Sequence, residues 1–280
     1  QNRHLDRRSY FNELATTSGA YYIPYIERVM ALSPATRVLE IGCGEGGNLE
    51  PFAERGCDVT GVDIVDGRIE QAQSFAQDGV KGRFVCSNVL DCDSGFDGQF
   101  DIVLAHDVIE HIPDKPAFLH AAMRFLRPGG IAFFGFPAWY MPFGGHQQIC
   151  RSRFCSHAPF LHLLPLPLYR CILESCGVKE KDVNELMSIR ETRITVEKFE
   201  RLAKKEGFAV LGRKFWFINP HYQAKFGLRP RVLWNWLGHV PYVRDFFITS
   251  AFYLLRKPDV ELRRSFTALQ GGQKQTFVML

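Results

Sequence analysis

The sequence lacks any run of five like charges, and it has no internal repeat or low-complexity tract. Lysine and arginine outnumber aspartate and glutamate by 34 to 30, but they are spread along the chain. Nucleic-acid binding usually needs basic residues concentrated in one patch or stripe. Hydrophobic residues make up 46% and charged residues 23%, which is typical of a globular protein. The composition therefore excludes a disordered chain and does not indicate a nucleic-acid partner.

Long uninterrupted apolar runs are also missing. Residues 154–169 contain no charged side chain, but these sixteen residues are broken by Pro159, Pro165 and Pro167. A helix needs about 20 consecutive apolar residues to span a bilayer, and proline disrupts a helix interior. We therefore expect no transmembrane helix.

Cysteine is plentiful, but its pattern does not demand crosslinks. A chain of 280 residues forms one large domain, or one domain with an accessory part, and buries a core without disulfides. Because no signal peptide is recognisable, we expect the eight thiols to lie in a reducing, cytoplasmic environment. The last four form two C-x4-C pairs, wider than the usual zinc spacing, so structural zinc is an alternative to ordinary buried thiols. These four are Cys150, Cys155, Cys171 and Cys176.

Short apolar runs alternate with helical periodicity from residue 33 to residue 137. This alternation is typical of a parallel sheet covered by helices, that is, of an α/β fold. We predict strands at 37–41, 58–63, 83–86, 100–105 and 131–136. We predict the main helices at 66–78 and 115–126, the second capped by Asp114.

The alternation stops after Pro137 and resumes at Thr195, where a helix begins that ends before Gly207. Two further strands, 208–218 and 246–255, are separated by a loop without a clear helical pattern, so we expect them to pair antiparallel at the sheet edge. The chain then divides into an N-terminal helical segment (1–33), a main domain (34–257) and a polar tail (258–280). The main domain includes an insert (138–194) and a loop (219–245).

A glycine-rich turn follows the first predicted strand. Residues 42–47 read Gly-Cys-Gly-Glu-Gly-Gly, and Asp63 lies 21 residues after Gly42, at the end of the second strand. Glycines allow the backbone to approach a ligand closely, and an acidic side chain there can accept hydrogen bonds from both ribose hydroxyls. Both features fit NAD and S-adenosylmethionine equally well.

Glu40 distinguishes between these two candidate ligands. It lies two residues before the first glycine, where a dinucleotide-binding strand normally has an apolar residue. A carboxylate suits the ammonium and sulfonium charges of S-adenosylmethionine better than the negative charge of a pyrophosphate. The sequence therefore favours S-adenosylmethionine.

Four blocks, VLEIGCGEGG, VTGVD, FDIVLAHDVIEHI and FLRPGG, occur in this order. Together they resemble class I S-adenosylmethionine-dependent methyltransferases, in particular the group that includes the quinone-biosynthesis O-methyltransferases. The resemblance covers residues 33–137 and extends to 195–256. It implies a Rossmann-like sheet of seven strands with helices on both faces, a final antiparallel strand pair, and an added lid.

The resemblance also implies a cofactor site. The methionine moiety would be lined by Glu40, Gly42, Cys43 and Gly44, while Asp63 would bind the ribose. Ile64 would pack on the adenine, Asn88 and Val89 would contact its edge, and Ala105 and His106 would lie beside the sulfonium. The family often has aspartate where this chain has Asn88, whose amide can still offer a carbonyl oxygen. The alternatives are purely structural: the glycines would serve only a tight turn, and Asp63 would cap the following helix.

Chemistry is predicted in the block HDVIEH. Asp107, Glu110 and His111 have the i, i+3, i+4 spacing that aligns side chains on one helical turn. Relatives of the family bind a divalent metal with an acid-x-x-Glu-His cluster and a later histidine, for which His146 is the candidate. The alternatives are a general base, either His111 or His146, and a structural role in which Glu110 and His111 fix the loop by hydrogen bonds.

Aromatic residues are concentrated in the insert and the 219–245 loop: Trp139, Tyr140, Phe143, Phe154, Phe160, Tyr169, Tyr222, Phe226, Trp234 and Trp236. They predict a lid over the acceptor, a small satellite core, or a peripheral membrane contact in which Arg229, Arg231 and Arg244 approach lipid headgroups. A lid or a membrane contact built from these side chains would suit an aromatic or lipid-linked acceptor.

The sequence as a whole predicts a methyltransferase that acts on a small molecule, with oxygen as the expected acceptor atom. The alternatives are an NAD-dependent oxidoreductase and a methyltransferase-like protein that binds without turnover. The acceptor's identity and the oligomeric state stay open at this point.

Overall fold

The computed structural model describes residues 7–77 and 82–259. Within these residues, eight strands form one sheet in the order β3-β2-β1-β4-β5-β8-β6-β7. The strands are β1 (Arg37–Ile41), β2 (Asp58–Asp63), β3 (Gly82–Cys86), β4 (Phe100–His106), β5 (Leu126–Phe136), β6 (Ala209–Ile218), β7 (Arg231–Val232) and β8 (Ser250–Arg256).

The first five strands run parallel, and β8 runs antiparallel between β5 and β6. This arrangement confirms the predicted α/β sheet with an antiparallel pair at its end. The predicted count of seven strands is short by one, because the two-residue strand β7 adds to the edge beside β6.

Two predicted strand boundaries were wrong. β5 begins at Leu126 rather than at residue 131, because Leu126 already pairs with Phe100 before an irregularity in the ladder. β8 begins at Ser250 rather than at residue 246, because residues Arg244–Phe246 form a 3-10 turn. Phe246 and Phe247 therefore lie in an exposed segment instead of a strand, whereas Ile248 after them is buried.

Helices cover both faces of the sheet. They are α1 (Arg7–Thr17), α2 (Ile23–Ile26), α3 (Glu50–Ala53), α4 (Asp66–Gln77), α5 (Lys115–Phe125), α6 (Arg153–His157), α7 (Leu166–Ser175), α8 (Glu180–Thr192), α9 (Val196–Glu206), α10 (His221–Phe226) and α11 (Asn235–Gly238). The predicted end of α4 at residue 78 lies outside the described residues.

The ends of α5 and α9 follow their local signals. The Asp114 carboxylate accepts a hydrogen bond from the Ala117 amide at 3.0 Å. The Thr195 hydroxyl accepts one from the Lys198 amide at 3.1 Å, and Gly207 ends α9 with a left-handed φ of 96°. Each cap satisfies backbone groups that a helix end leaves without a partner, an effect of about 1 kcal/mol.

The sheet separates two hydrophobic cores, and β5 contributes to both. Phe134 packs against Phe199 of α9 on one face, with 5.3 Å between the ring centroids. Phe133, one residue away, points to the other face and lies 4.9 Å from Tyr22 and 5.2 Å from Phe252. This alternation follows from the two-residue period of a strand. Burying each such ring contributes roughly 1.5–3 kcal/mol.

The N-terminal segment packs on the Tyr22 side of the sheet. It consists of α1, a single π-helical stretch (Ser18–Tyr22) and α2. Helix α1 lies against the turn after β1 so closely that a Cβ added to Gly47 would come 2.6 Å from the carbonyl oxygen of Phe11. Helical structure in the N-terminal segment thus spans residues 7–26, against the glycine-rich turn, and residues 1–6 lie outside the described residues.

The insert after β5 builds a third, smaller core from α6, α7 and α8, centred on Tyr169, Leu173 and Leu186. Cys150 and Cys155 are buried in it, whereas Cys171 is exposed. Among the described residues, the group of potential metal ligands that comes together lies elsewhere and contains no cysteine, so the predicted alternative of a structural zinc site finds no support here.

The 219–245 loop is more structured than predicted, since it contains α10, β7 and α11. Arg244, expected at a lipid headgroup, is instead buried and forms ion pairs of 3.1 Å with Glu197 and 3.2 Å with Glu200. None of the helices within 7–77 and 82–259 combines the length and hydrophobicity that crossing a bilayer requires.

Candidate active site

The glycine turn after β1 has a backbone that other residues would strain. Gly42 has a φ of +72°, and its amide donates to the Val62 carbonyl at 2.7 Å, which ties the turn to β2. A Cβ at this position would lie 2.4 Å from the side chain of Val108. Gly44 also has a positive φ of +53°, but open space surrounds it. Left-handed backbone and close approach are the two reasons for glycine in such a turn.

Asp63 braces this turn from the end of β2. Its carboxylate accepts hydrogen bonds from the amides of Gly44 and Val65, each at 2.9 Å. The bond to Val65 lies just before α4, so the structural role considered from the sequence is present. Each carboxylate oxygen retains a further lone pair that can accept from a ligand hydroxyl. Bracing the turn and binding a ribose are therefore compatible.

Glu40 lies almost wholly buried beneath the turn, with an exposed fraction of 1%. Its Oε1 accepts from Asn48 Nδ2 at 2.7 Å, whereas Glu40 Oε2 and Asn48 Oδ1 have no hydrogen-bond partner among the described residues. Burial raises the pKa of Glu40 to about 8, opposed by the Asn48 hydrogen bond and reinforced by Asp63. Two buried oxygens without a partner, on two residues that are hydrogen-bonded to each other, fit a cationic ligand group such as an ammonium.

Asn48 contacts a predicted site residue, Glu40, in a way that the sequence did not reveal. It follows Glu40 by eight residues, at the first turn after the glycines. No motif distinguishes an asparagine there from an ordinary helix-capping residue.

A cavity of about 250 Å³ opens at the carboxyl ends of the parallel strands. Several predicted cofactor residues line it: Gly42, Asp63, Ile64, Asn88 and Val89. Its other lining residues are Ile41, Val62, Val65, Arg68, Ser87, Asp107, Val108, His111, Ile112 and Phe118. Open α/β sheets bind their ligands at this edge.

The lining of this cavity is mainly apolar. The Ile64 side chain is 69% exposed there, which is unusual for isoleucine and leaves a surface on which a flat ring can stack. Asn88 Oδ1 accepts from the Leu90 amide at 3.1 Å and thereby caps a 3-10 turn. The amide group of Asn88 therefore has a fixed orientation.

Five predicted cofactor residues do not line the cavity: Glu40, Cys43, Gly44, Ala105 and His106. His106 packs beneath the N-terminal segment, where its ring stacks on Tyr22 with 4.9 Å between centroids. Its Nδ1 lies 3.4 Å from Asp107 Oδ2, and its buried Nε2 lacks a partner among the described residues. Cys43 is also buried, which raises the pKa of its thiol and makes it unreactive.

The predicted helical turn with Asp107, Glu110 and His111 on one side does not form. Asp107 has a left-handed φ of 53°, and the helical geometry is limited to the 3-10 turn Ile109–His111. The Asp107 amide donates to the Gly135 carbonyl of β5 at 2.9 Å. Residue 107 therefore continues the pairing of β4 with β5 instead of starting a helix. The i, i+3, i+4 argument was wrong because it assumed a regular α-helix.

Glu110, His111 and His146 nevertheless converge. One ligand atom from each lies within 4.8 Å of the others. His146 reaches His111 from the loop after β5, with a left-handed φ of 56° and 5.2 Å between the ring centroids. The Glu110 carboxylate is buried, and neither of its oxygens has a hydrogen-bond partner in the described structure. The alternative in which Glu110 fixes the loop by hydrogen bonds therefore finds no such bond.

The electrostatics of this cluster are compatible with a bound cation. Burial, reinforced by Asp107, raises the pKa of Glu110 well above its ordinary value. Burial and the neighbouring His111 lower the pKa of His146 to about 4, and burial also lowers that of His111. Both imidazoles are therefore neutral at pH 7 with a free lone pair, and a divalent cation would stabilise the carboxylate. The donor set of two nitrogens and one carboxylate fits such an ion.

The N-terminal segment supplies site residues that the motifs did not indicate. Arg7 of α1 forms a 2.9 Å ion pair with Glu45 inside the glycine turn. Burial, reinforced by the charge of Asp107, raises the pKa of Tyr10 to about 12. Only tertiary packing brings α1 over the turn, so no local sequence signal could have revealed these contacts.

The strand order, the glycine turn and the acidic end of β2 define a class I S-adenosylmethionine-dependent methyltransferase fold. Residues 39–134 match the family model described as a methyltransferase domain. Residues 39–134 are therefore similar to a methyltransferase domain, and this similarity supports S-adenosylmethionine as the cofactor.

Similar proteins agree with this class. A ubiquinone biosynthesis O-methyltransferase from Erwinia tasmaniensis is 33% identical over 121 residues, which cover 41% of this chain and 50% of that protein. An uncharacterized methyltransferase from Mycobacterium sp. (strain JLS) is 33% identical over 144 residues, covering 51% of this chain and 56% of that protein. The chain thus spans about half the length of the curated relatives that it matches.

Solved structures resemble more of the chain. The crystal structure of a putative sarcosine dimethylglycine methyltransferase from Galdieria sulphuraria has a TM-score of 0.56 at 15% identity. The match covers 86% of this chain and 85% of that one. At this identity the likeness concerns the fold alone.

Proposed function

We propose that this protein transfers a methyl group from S-adenosylmethionine to an oxygen atom of a small molecule. The observation that carries the proposal is the position of His111, which both lines the cofactor cavity and belongs to the cluster with Glu110 and His146. A cofactor cavity and a group of potential ligands or bases therefore meet at one point. Hydroxyl acceptors profit from such a group because they must lose a proton.

The cofactor would be held by residues of three strand ends. Glu40 and Asn48 offer unsatisfied oxygens to the methionine ammonium, and Asp63 offers lone pairs to the ribose hydroxyls. Ile64 would stack on the adenine, with Asn88 and Val89 at its edge. Fixing donor and acceptor in line can contribute up to roughly 7–11 kcal/mol to lowering the barrier, so positioning supplies much of the rate.

A divalent cation would be held by Glu110, His111 and His146. When bound, it would lower the pKa of an acceptor hydroxyl and stabilise the resulting oxyanion. Without it, the neutral imidazoles of His111 and His146 can hydrogen-bond the acceptor hydroxyl and take its proton. In both cases these two side chains orient the acceptor oxygen toward the methyl group.

The acceptor is proposed to be aromatic or apolar. Tyr140 and Phe160 of the insert, which also carries His146, pack against Phe246, and the insert would act as a lid over the acceptor. The similarity to a ubiquinone biosynthesis O-methyltransferase from Erwinia tasmaniensis supports oxygen as the acceptor atom. A cytoplasmic location accords with this role.

Calorimetry tests the cofactor assignment. Titration with S-adenosylhomocysteine should show binding, and titration with NAD should show none; binding of NAD alone would support the oxidoreductase alternative. Methyl transfer from radiolabelled S-adenosylmethionine to a panel of catechols and phenols tests the reaction. Cofactor binding without turnover on any oxygen, nitrogen or carbon acceptor would favour a non-catalytic binding protein.

Metal analysis separates the two acid–base routes. The purified protein is analysed for bound divalent ions, and its activity is measured before and after chelation. Loss of activity on chelation and recovery with Mg²⁺ or Zn²⁺ would support the metal route. Unchanged activity in a metal-free protein would leave the histidines as the proton acceptors.

A further inference from the structure

The segment 226–247, here called the apolar segment, exposes an unusual number of large hydrophobic side chains. Trp234 is 57% exposed, Trp236 69% and Tyr242 67%. The others are Phe226, Leu228, Val232, Val240, Val243, Phe246 and Phe247. A water-facing surface does not ordinarily collect so many large apolar groups, and such patches usually mark a binding surface.

The apolar segment is held in place from below. Leu233, Leu237 and Ile248 are buried in the main core. Arg244 is fixed by its ion pairs with Glu197 and Glu200. The exposed side chains therefore rest on an anchored base and do not depend on a partner to order them.

The exposed charges that the apolar segment itself carries have one sign. Asp245 is the single carboxylate between residues 219 and 247, and it is fully buried, accepting a hydrogen bond from the Val196 amide at 3.2 Å. Arg229 and Arg231 are exposed. Exposed tryptophan and tyrosine beside arginine, without exposed carboxylates, match the boundary between lipid headgroups and acyl chains.

The surface continues into the insert. Phe246 stacks on Tyr140 with 5.3 Å between ring centroids and lies 6.2 Å from the ring of Phe160. Residues 138–173 contain no aspartate or glutamate, while Arg151 and Arg153 are exposed. The Phe160 amide donates to the Pro142 carbonyl at 2.6 Å, in the same loop that carries His146. The apolar segment is therefore connected to the loop of the candidate active site.

We infer that the apolar segment docks the protein on an anionic lipid surface, with its tryptophans at the headgroup boundary and Arg229 and Arg231 on lipid phosphates. The docking stands on the surface alone. Its use, which is to deliver an acceptor that resides in the lipid phase, rests on the proposed methyl transfer. A protein partner is disfavoured because protein interfaces generally pair charges of both signs around an apolar centre.

Vesicle sedimentation of the full chain tests the docking, without S-adenosylmethionine present. Phosphatidylcholine vesicles with phosphatidylglycerol should bind the protein, and vesicles without it should bind more weakly. The variant Trp234→Ala/Trp236→Ala should lose at least about tenfold in affinity, because two large interfacial side chains are removed. Arg229→Gln/Arg231→Gln should lose about tenfold or more on anionic vesicles only. The matched control Lys204→Gln/Lys205→Gln removes two exposed cations elsewhere and should bind normally.

Tryptophan fluorescence gives an independent readout. Two of the four tryptophans, Trp139 and Trp216, are buried, so a blue shift on adding vesicles must come from Trp234 and Trp236. Quenching by bromine-labelled lipid should disappear in the double tryptophan variant. The docking would be overturned if the wild-type protein showed neither a fluorescence shift nor sedimentation with vesicles. It would also be overturned if the apolar segment instead mediated a dimer that the double tryptophan variant abolishes.

The proposed function is measured separately on the same samples. All variants should bind S-adenosylhomocysteine like the wild type in calorimetry. Binding of the cofactor without binding of vesicles would overturn the docking and leave the methyltransferase proposal intact. Binding of vesicles without binding of the cofactor would support the docking and overturn the methyltransferase proposal.

Discussion

The ring of His146 lies edge-on to the ring of His111, with 5.2 Å between their centroids and 71° between their planes. The two residues are 35 positions apart and come from loops that follow different strands, β4 and β5. Their contact closes the cluster with Glu110 at one side of the cofactor cavity.

His146→Ala should lower kcat by about 10²–10⁴-fold, whichever of the two routes operates, because either a metal ligand or a proton acceptor is lost. Initial rates at saturating S-adenosylmethionine measure the effect. His157→Ala is a matched control, since His157 is an exposed histidine of the same insert whose ring contacts Arg153 and Ser156. An unchanged rate in His146→Ala would remove this cluster from the mechanism.

Cofactor binding at pH 7 should release about one proton from Glu40. Its pKa of about 8 leaves the free carboxyl mostly protonated, and an ammonium placed against Oε2 favours the charged form. Calorimetry with S-adenosylhomocysteine in buffers of different ionisation enthalpy counts the protons. The variant Glu40→Gln should release none and bind more weakly. Equal proton release by both proteins would contradict the assignment.

The same group should make the ligand-free protein less stable as pH rises. A carboxyl whose pKa is raised on folding favours the folded state at low pH, and this advantage is lost between about pH 4.5 and 8. The cost at pH 8 is on the order of a few kcal/mol in the free energy of unfolding. Glu40→Gln should therefore be stabilised relative to wild type more at pH 8 than at pH 5, as urea unfolding measures. Glu54→Gln, at an exposed site, serves as the control and should show no such difference.

Asp63→Ala should weaken S-adenosylmethionine binding by at least about 1 kcal/mol, because hydrogen bonds to a charged acceptor are lost and the turn loses its brace. Titration calorimetry measures the affinity. Asp58→Ala, at the other end of the same strand, is exposed and should bind the cofactor like the wild type. If the two variants bind equally, Asp63 does not contact the ribose.

Local chemistry made much of the fold predictable. The caps at Asp114 and Thr195 and the strand pattern before Asp63 depend on residues close in sequence, and the structure has them where expected. The glycine turn was equally visible because its backbone demands a specific residue type. Asp107 was misjudged, since its left-handed backbone is imposed by a bond to Gly135, far along the chain.

Tertiary contacts explain what the sequence could not predict. Asn48 hydrogen-bonds Glu40, and the packing of α1 brings Tyr10 within electrostatic range of Asp107 and Glu45, which no motif encodes. The sequence predicted that Arg244 approaches lipid headgroups, but in the fold it is paired with Glu197 and Glu200. Burial of a charged residue is decided by which partners the chain brings to it, and sequence spacing does not contain that information.

Gly42→Ala should destabilise the protein more than Gly44→Ala, although both residues have positive φ. The left-handed conformation costs each variant about 1–2 kcal/mol, but only the new methyl group at residue 42 would meet Val108, at 2.4 Å. Overpacking of this kind typically costs a further 1–3 kcal/mol, about as much as the strain itself. Urea unfolding of both variants measures the difference.

The double variant Gly42→Ala/Val108→Ala identifies the cause of that difference. Shortening Val108 removes the atoms that the new methyl group would strike, so the double variant should be more stable than the sum of the two single changes predicts. Because Val108 lines the cofactor cavity, the clash also pushes its side chain toward the ligand, and Gly42→Ala should weaken S-adenosylhomocysteine binding while the double variant recovers part of it. Strict additivity in both measurements would mean that the turn moves away from β4 as a unit, and the close approach of Gly42 to Val108 would then not be what requires a glycine.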